Sequence, residues 1–189
     1  MIRFYTKNQI WTKIGRSIVR YVLFLVIVNL AVIWGINRKT LPKPIQKFNV
    51  FVSALVNGDL KKDLRNKLDK SIYEDNVYTF DLNDKYYGSY YSLYGPGESD
   101  IVITPKQEDN TIINNFLPLD LSKDKGLIVD NTLYGIEVYN SEAQSSLLEK
   151  YLKTPIDSTL YAFISRKSVH ASDSSNLAFE IMENIFYEN

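Results

Sequence analysis

The stretch FNVFVSALVNGDLKKDLRNKLDKSIYEDNVYTFD, residues 48–81, decides the fold because it gives a strand, a helix and a second strand in succession. Residues 48–54 are aromatic and β-branched, which is typical of a buried strand. Leucine or isoleucine recurs at every fourth position over residues 60–72, which predicts a helix with one apolar face. Residues 77–81 predict the second strand. Two strands joined by a crossover helix are expected to pair in parallel.

The same alternation continues to the end of the chain and predicts the fold class. We expect α/β architecture, with a mostly parallel sheet and helices on both faces in three layers. Further strands are predicted at 100–104, 132–139 and 160–164, and further helices at 84–93, 108–116, 141–151 and 174–186.

An apolar run precedes this region. YVLFLVIVNLAVIWGIN, residues 21–37, contains no charged residue. With the positions just before it, the run would make about 20 residues of helix, or roughly 30 Å, the thickness of a bilayer's hydrocarbon core. The pattern predicts a transmembrane helix over residues 17–37. A cleaved signal peptide is the alternative, but its apolar stretch is normally shorter and ends in small residues.

Charge around the run predicts its orientation. Five basic residues precede it and four follow it closely, with no acid on either side. This favours a cytoplasmic tail at 1–16, a linker at 38–47 and an extracytoplasmic domain at 48–189, in a single-pass protein of a bacterial cell membrane. Asn29 lies deep in the run. It is either a contact to a partner helix or a tolerated polar residue.

The rest of the chain is acidic. All 22 acids follow residue 58, while nine of the 22 basic residues lie at or before Lys47, which leaves 22 − 9 = 13 beyond it and a balance of about −9. Such a domain lacks the basic footprint that nucleic acid requires. The absence of cysteine excludes disulfides, zinc–thiolate sites and thiol nucleophiles.

A series of short motifs resembles a known family. The motifs are SDIVI at 99–103, FLPLD at 116–120, LYGI at 133–136 and the closing stretch at 163–180. Their order resembles lobe I of the type II extracellular, or periplasmic-type, solute-binding proteins that feed ABC importers. The similarity covers most of residues 46–187, and the resemblance implies the fold of that lobe.

The chain resembles one lobe without the other. Only about 20 residues lie between Tyr139 and Tyr161, where a complete binding protein has its second lobe. A single lobe cannot enclose a small ligand as a closing pair does. We therefore expect an accessory or binding protein of a membrane transporter complex, in contact with the bilayer and a permease. The alternative is a stand-alone cell-surface receptor for a sugar or peptide, and a cell-envelope enzyme is a third reading.

Candidate binding residues follow from the sheet. In open α/β sheets ligands meet the carboxyl ends of the strands. In the helix at 84–93 and just beyond it, one face is formed by Tyr87, Tyr91 and Tyr94 and the next by Tyr86 and Tyr90. One of these faces is expected to be core and the other an exposed strip for a sugar or protein. The candidates for binding a ligand or partner are Ser53, Asp81, Tyr86, Tyr90, Thr104, Glu137 and Tyr139.

The sequence predicts no catalysis. His170 is the only histidine, and Ser168 stands close to it, but no glycine elbow or triad spacing accompanies them. We expect a surface or capping histidine and a structural Asp100. No phosphate-binding loop or metal-ligand cluster is present, so the prediction is a non-enzymatic protein without metal or cofactor.

Overall fold

A computed structural model describes most of the chain. It divides into two units, Met1–Pro44 and Ile45–Asn189. The residues that the structure describes are 15, 18–32, 46–70, 72–120, 126–143, 146–172 and 176–186.

The predicted transmembrane helix is wrong. In the described part of the first unit, residues 18–32 are helical, and this segment is called α1. Among the described residues no helix has the length and apolar character needed to cross a bilayer. The single-pass location and the extracytoplasmic placement, which were deduced from that helix, are withdrawn with it.

Asn29 lies on α1 with its amide satisfied locally. Its Nδ2 donates to the carbonyl oxygen of Leu25, 2.9 Å away, one turn earlier in the helix. Contact with a partner helix stays a prediction. The predicted tail at 1–16 and linker at 38–47 lie almost wholly outside the described residues.

The second unit is a mixed α/β domain with a six-stranded sheet. Asn57 caps helix α2 (Gly58–Lys67), since its side chain accepts a hydrogen bond from the backbone N–H of Asp59 at 2.8 Å. The strands are β1 (Gln46–Val52), β2 (Tyr73–Thr79), β3 (Ile101–Thr104), β4 (Gly126–Val129), β5 (Thr132–Tyr139) and β6 (Leu160–Ile164). The helices are α2 (Gly58–Lys67), α3 (Tyr87–Tyr94), α4 (Asp109–Asn115), α5 (Val169–Ser172) and α6 (Leu177–Phe186), with a 3-10 turn at Glu149–Tyr151.

The sheet is not mostly parallel. Its strand order is β2-β1-β3-β6-β5-β4, so β2 and β4 are the outermost strands. β1 pairs in parallel with β2 and β3, whereas the β3–β6, β6–β5 and β5–β4 pairs are antiparallel. The β4–β5 connection is a two-residue turn in which Asp130 and Asn131 have φ angles of 49° and 63°. Such left-handed turns join antiparallel strands.

Two hydrophobic cores cover the two faces of the sheet. α2 and α6 pack over one face through apolar side chains such as Leu64 and Ile181. α3 and α4 cover the other, where Phe51 and Phe163 form the centre with Ile112. The predicted helix at 141–151 is wrong, because only the 3-10 turn is present within its described part.

Candidate functional site

Two of the predicted site residues meet at the carboxyl ends of β1 and β3. Ser53 and Thr104 are fully buried and lie on the sheet face covered by α3 and α4. The phenolic hydroxyl of Tyr87, on α3, shares one hydrogen bond with Ser53 and a second with Thr104 Oγ1 at 3.2 Å. Helix α3 therefore places one hydroxyl between the ends of β1 and β3, and this hydroxyl links the two ends by hydrogen bonds.

The polar line continues across the antiparallel strands. Thr104 pairs with Tyr161 of β6, and Tyr161 pairs with Glu137 of β5, so these side chains share one face. Burial, then the negative charge of Glu137, raises the pKa of the Tyr161 phenol. Asn140 Nδ2 donates to Glu137 Oε1 at 3.2 Å. We call Ser53, Thr104, Tyr161 and Glu137 the polar row.

Only one end of the polar row is open to a ligand. Ser53 and Thr104 have no exposed surface, whereas Glu137 and Tyr161 are partly exposed. That end presents a carboxylate acceptor beside a phenol that both donates and accepts. Tyr139, by contrast, is buried. Its hydroxyl donates to the Ile156 carbonyl at 3.0 Å, so Tyr139 holds the loop that precedes β6 in place.

Removing the Tyr87 hydroxyl is expected to destabilise the domain. Tyr87→Phe leaves Ser53 and Thr104 without their shared partner, and a buried polar group without a partner costs about 1–3 kcal/mol. Urea denaturation followed by circular dichroism measures the loss.

Tyr91 supplies the matched control on the same helix. Its hydroxyl is buried and has no hydrogen-bond partner among the described residues, and burial raises its pKa to about 12. Tyr91→Phe is expected to be neutral or stabilising, because it removes an unsatisfied group. Equal losses in the two variants would contradict the assigned role of Tyr87.

The tyrosines divide between core and surface, but not along the predicted faces. Tyr87 and Tyr91 pack against Phe51, with ring centroids 6.3 and 5.7 Å apart. Tyr94 was expected on the same face. It is instead partly exposed and stacks on Phe80 at 5.5 Å.

A mostly aromatic patch results beside the turn at 81–84. The ring of Tyr90 stacks on Phe80 at 4.5 Å, and the Lys85 ammonium lies 4.7 Å above the ring of Tyr86. The predicted site residues Asp81, Tyr86 and Tyr90 are thereby close in the chain and exposed or half-buried. We call Phe80, Tyr86, Tyr90, Leu93 and Tyr94 the α3 surface.

Asp81 and Asp84 border this surface in the turn. Both are exposed. Each carboxylate accepts a hydrogen bond from a backbone N–H two residues later, at 2.9 Å for Asp81 and 2.7 Å for Asp84. Such turns order the two carboxylates in the segment that leads into α3 and leave them further acceptor capacity.

Ser168 and His170 do not form a nucleophile–base pair. The Ser168 hydroxyl donates to Asp100 Oδ1 at 2.6 Å, and it accepts from the backbone N–H of His170 rather than from the ring. His170 is buried, not on the surface. Its Nε2 donates to the Lys47 carbonyl at 3.0 Å, and its ring stacks on Phe48. Asp100 has the structural role that we expected, since it joins β1 to the segment after β6.

Comparison with protein-family models, with curated proteins and with solved structures gave no match. The resemblance to a solute-binding lobe, the transporter partner, the sugar or peptide ligand and the absence of enzymatic activity all stay predictions. Within the described ranges, no three histidine or acidic side chains converge as a metal-binding group.

Proposed function

We propose that the domain is a protein-recognition module that binds a basic segment of another protein at the α3 surface. The observation that carries this proposal is the contact between Lys85 and Tyr86 beside the exposed carboxylates of Asp81 and Asp84. A cation already lies over one tyrosine ring there, and a cation above an aromatic face is worth about 0.5–1 kcal/mol at exposed sites. A lysine or arginine of a partner would gain both ring and carboxylate contacts.

Exposure and overall charge support the same partner. Tyr86 is 53% exposed, Leu93 61% and Tyr94 37%, so apolar area is available on one helix. Tyrosine is enriched at protein interfaces, because the ring buries well and the hydroxyl stays hydrogen-bonded. The balance of about −9 beyond Lys47 favours encounter with a basic partner.

The single lobe expected from the sequence motifs is compatible with surface binding. In the domain itself, β1 pairs in parallel with β2 and with β3. A lobe without its counterpart presents an open face. A partner protein or an extended peptide can cover such a face. To enclose a small molecule on that face, the domain would need a second lobe.

Peptide binding by the full chain tests the proposal. The probe is a fluorescent peptide that alternates arginine with glycine and serine, and its matched peptide has glutamate in place of arginine. We expect saturable anisotropy with the basic peptide only, and weaker binding as salt rises. Tyr86→Ser combined with Leu93→Ser is expected to weaken binding about tenfold or more, equivalent to about 1.4 kcal/mol.

Ile128→Ser is the control for these surface changes. Ile128 lies on β4 and is 44% exposed, so the substitution removes a comparable apolar side chain outside the α3 surface. Equal weakening by Ile128→Ser, or saturable binding of a neutral oligosaccharide with no binding of the basic peptide, would contradict the proposal.

A further inference from the structure

We propose that a second site, independent of the α3 surface, binds a small zwitterion of the α-amino-acid class. A cleft of about 180 Å³ lies at the amino ends of β1 and β3, the end of the parallel strands opposite to the polar row. Four charged side chains line it: Lys47, Glu98, Asp100 and Lys167. Gly97 forms part of its wall.

The floor of the cleft is an ordered carboxylate. Asp100 is 5% exposed. Its Oδ2 accepts from the backbone N–H of Asn49 at 2.8 Å, and its Oδ1 accepts from the Ser168 hydroxyl at 2.6 Å. A carboxylate has about four acceptor positions, so each oxygen retains the capacity to accept from a ligand ammonium.

The charges of the cleft are not paired with one another. None of the ion pairs found among the described residues involves Lys47, Glu98, Asp100 or Lys167. Burial raises the pKa of Asp100, while its two hydrogen bonds and the nearby His170 oppose that rise. A ligand ammonium would add a positive charge next to this carboxylate at the floor.

Both signs of charge at one small site define the ligand class. Lys47, on β1, and Lys167, on the segment after β6, both line the cleft and suit a ligand carboxylate. Glu98 and Asp100 suit its ammonium. A cleft of about 180 Å³ has room for the charged groups of a free amino acid.

Gly97, in the cleft wall, can take a larger side chain without disturbing the packing. A Cβ added at Gly97 would meet no atom within 4 Å, and the residue has no positive φ. Gly97→Leu therefore places a side chain in open space at the cleft wall. Gly58 has the same property at the start of α2, outside the cleft, so Gly58→Leu is the matched control.

Titration of the full chain with each of the common L-amino acids tests the proposal. We expect saturable heat by calorimetry for at least one of them. We also expect amide chemical-shift changes at Asn49 and Ser99 in ¹⁵N-labelled protein. Gly97→Leu is expected to weaken binding at least tenfold, whereas Gly58→Leu and the α3-surface variant Tyr86→Ser leave it unchanged.

Ligands that carry only one of the two charges test the proposed ligand class. Acetate and methylamine each carry one of the two charges and are expected to bind at least tenfold more weakly than the amino acid. Acetate binding as tight as the amino acid would overturn the assignment in favour of a simple anion site. Absence of saturable binding by every amino acid, or binding unaffected by Gly97→Leu, would overturn the site itself.

Discussion

Phe51→Ala is expected to lower the free energy of unfolding by about 3–5 kcal/mol, the usual cost of truncating a buried aromatic residue to alanine. Phe51 is fully buried at the centre of the core beneath α3. Its ring lies 5.2 Å from that of Phe80 and 5.7 Å from that of Tyr91. The cavity would open between the sheet and the helix, so α3 loses its support as well as its buried area.

Urea denaturation of the wild type and the variant measures this loss. Phe51→Leu is the conservative comparison and is expected to cost much less than the alanine variant, because it retains most of the buried apolar volume. The peptide affinity of the α3 surface should fall in Phe51→Ala but not in Phe51→Leu. A loss below about 1 kcal/mol in the alanine variant would contradict the central position assigned to this ring.

Asp100→Ala is expected to have the second largest effect on stability. The carboxylate accepts from Asn49 and Ser168 and so joins β1 to the segment after β6. Its removal leaves both donors buried without their acceptor, at about 1–3 kcal/mol for each group that finds no replacement. Asp100→Asn preserves the shape and an acceptor, so it should cost less than the alanine variant in urea denaturation near neutral pH.

The same residue predicts a pH dependence. Burial raises the pKa of Asp100, against the opposing effect of its hydrogen bonds and of His170. Between the ordinary carboxyl pKa and this raised value, the folded state binds more protons than the unfolded state. The contribution of Asp100 to stability is therefore largest at low pH and decreases as pH rises through that window.

Asp100→Asn cannot titrate and should lack this slope. The stability of the asparagine variant relative to the wild type is expected to increase from about pH 4 to about pH 7, because the other carboxyl groups contribute equally to both proteins. Denaturation midpoints across this range provide the measurement. A relative stability that stays constant or decreases with pH would contradict a raised pKa for Asp100.

The strands were the most predictable part of this fold. The predicted strands at 132–139 and 160–164 coincide with β5 (Thr132–Tyr139) and β6 (Leu160–Ile164). Short apolar runs bounded by polar residues identify such strands because burial on both faces requires continuous apolar character. Those runs carry no information on strand direction, which depends on partners distant in sequence. The antiparallel placement of β6 beside β3 could not be deduced from them.

Helical patterns were less reliable. The composition of the apolar run at 21–37 predicts a membrane span, whereas no helix among the described residues has the length and apolar character to cross a bilayer. The sequence analysis missed β4. Asp130 and Asn131 lie between two apolar segments, and both residue types tolerate the left-handed conformation of a tight turn. This pattern could have predicted the hairpin.

The residues of the polar row differ in the same way: some were predictable from their own strand, and others depend on partners distant in sequence. Ser53 and Thr104 were predicted, because each follows or closes a parallel strand whose carboxyl end was identifiable. Tyr161 was not, since it is the second residue of β6 and reaches the same edge only because that strand runs in the opposite direction. Tyr87 was assigned to a helix face, but nothing in the sequence indicates that its hydroxyl contacts both strand ends.

The outermost position of β2 has a consequence for association between copies of this protein. The outer side of β2 has no neighbouring strand in the described sheet. The strand carries an exposed Glu74, whereas Asp75 is buried and forms an ion pair with Arg65 of α2 at 2.9 Å. A second copy aligned there would bring the Glu74 carboxylates of the two copies to the same edge, so electrostatic repulsion opposes growth of the sheet into fibrils.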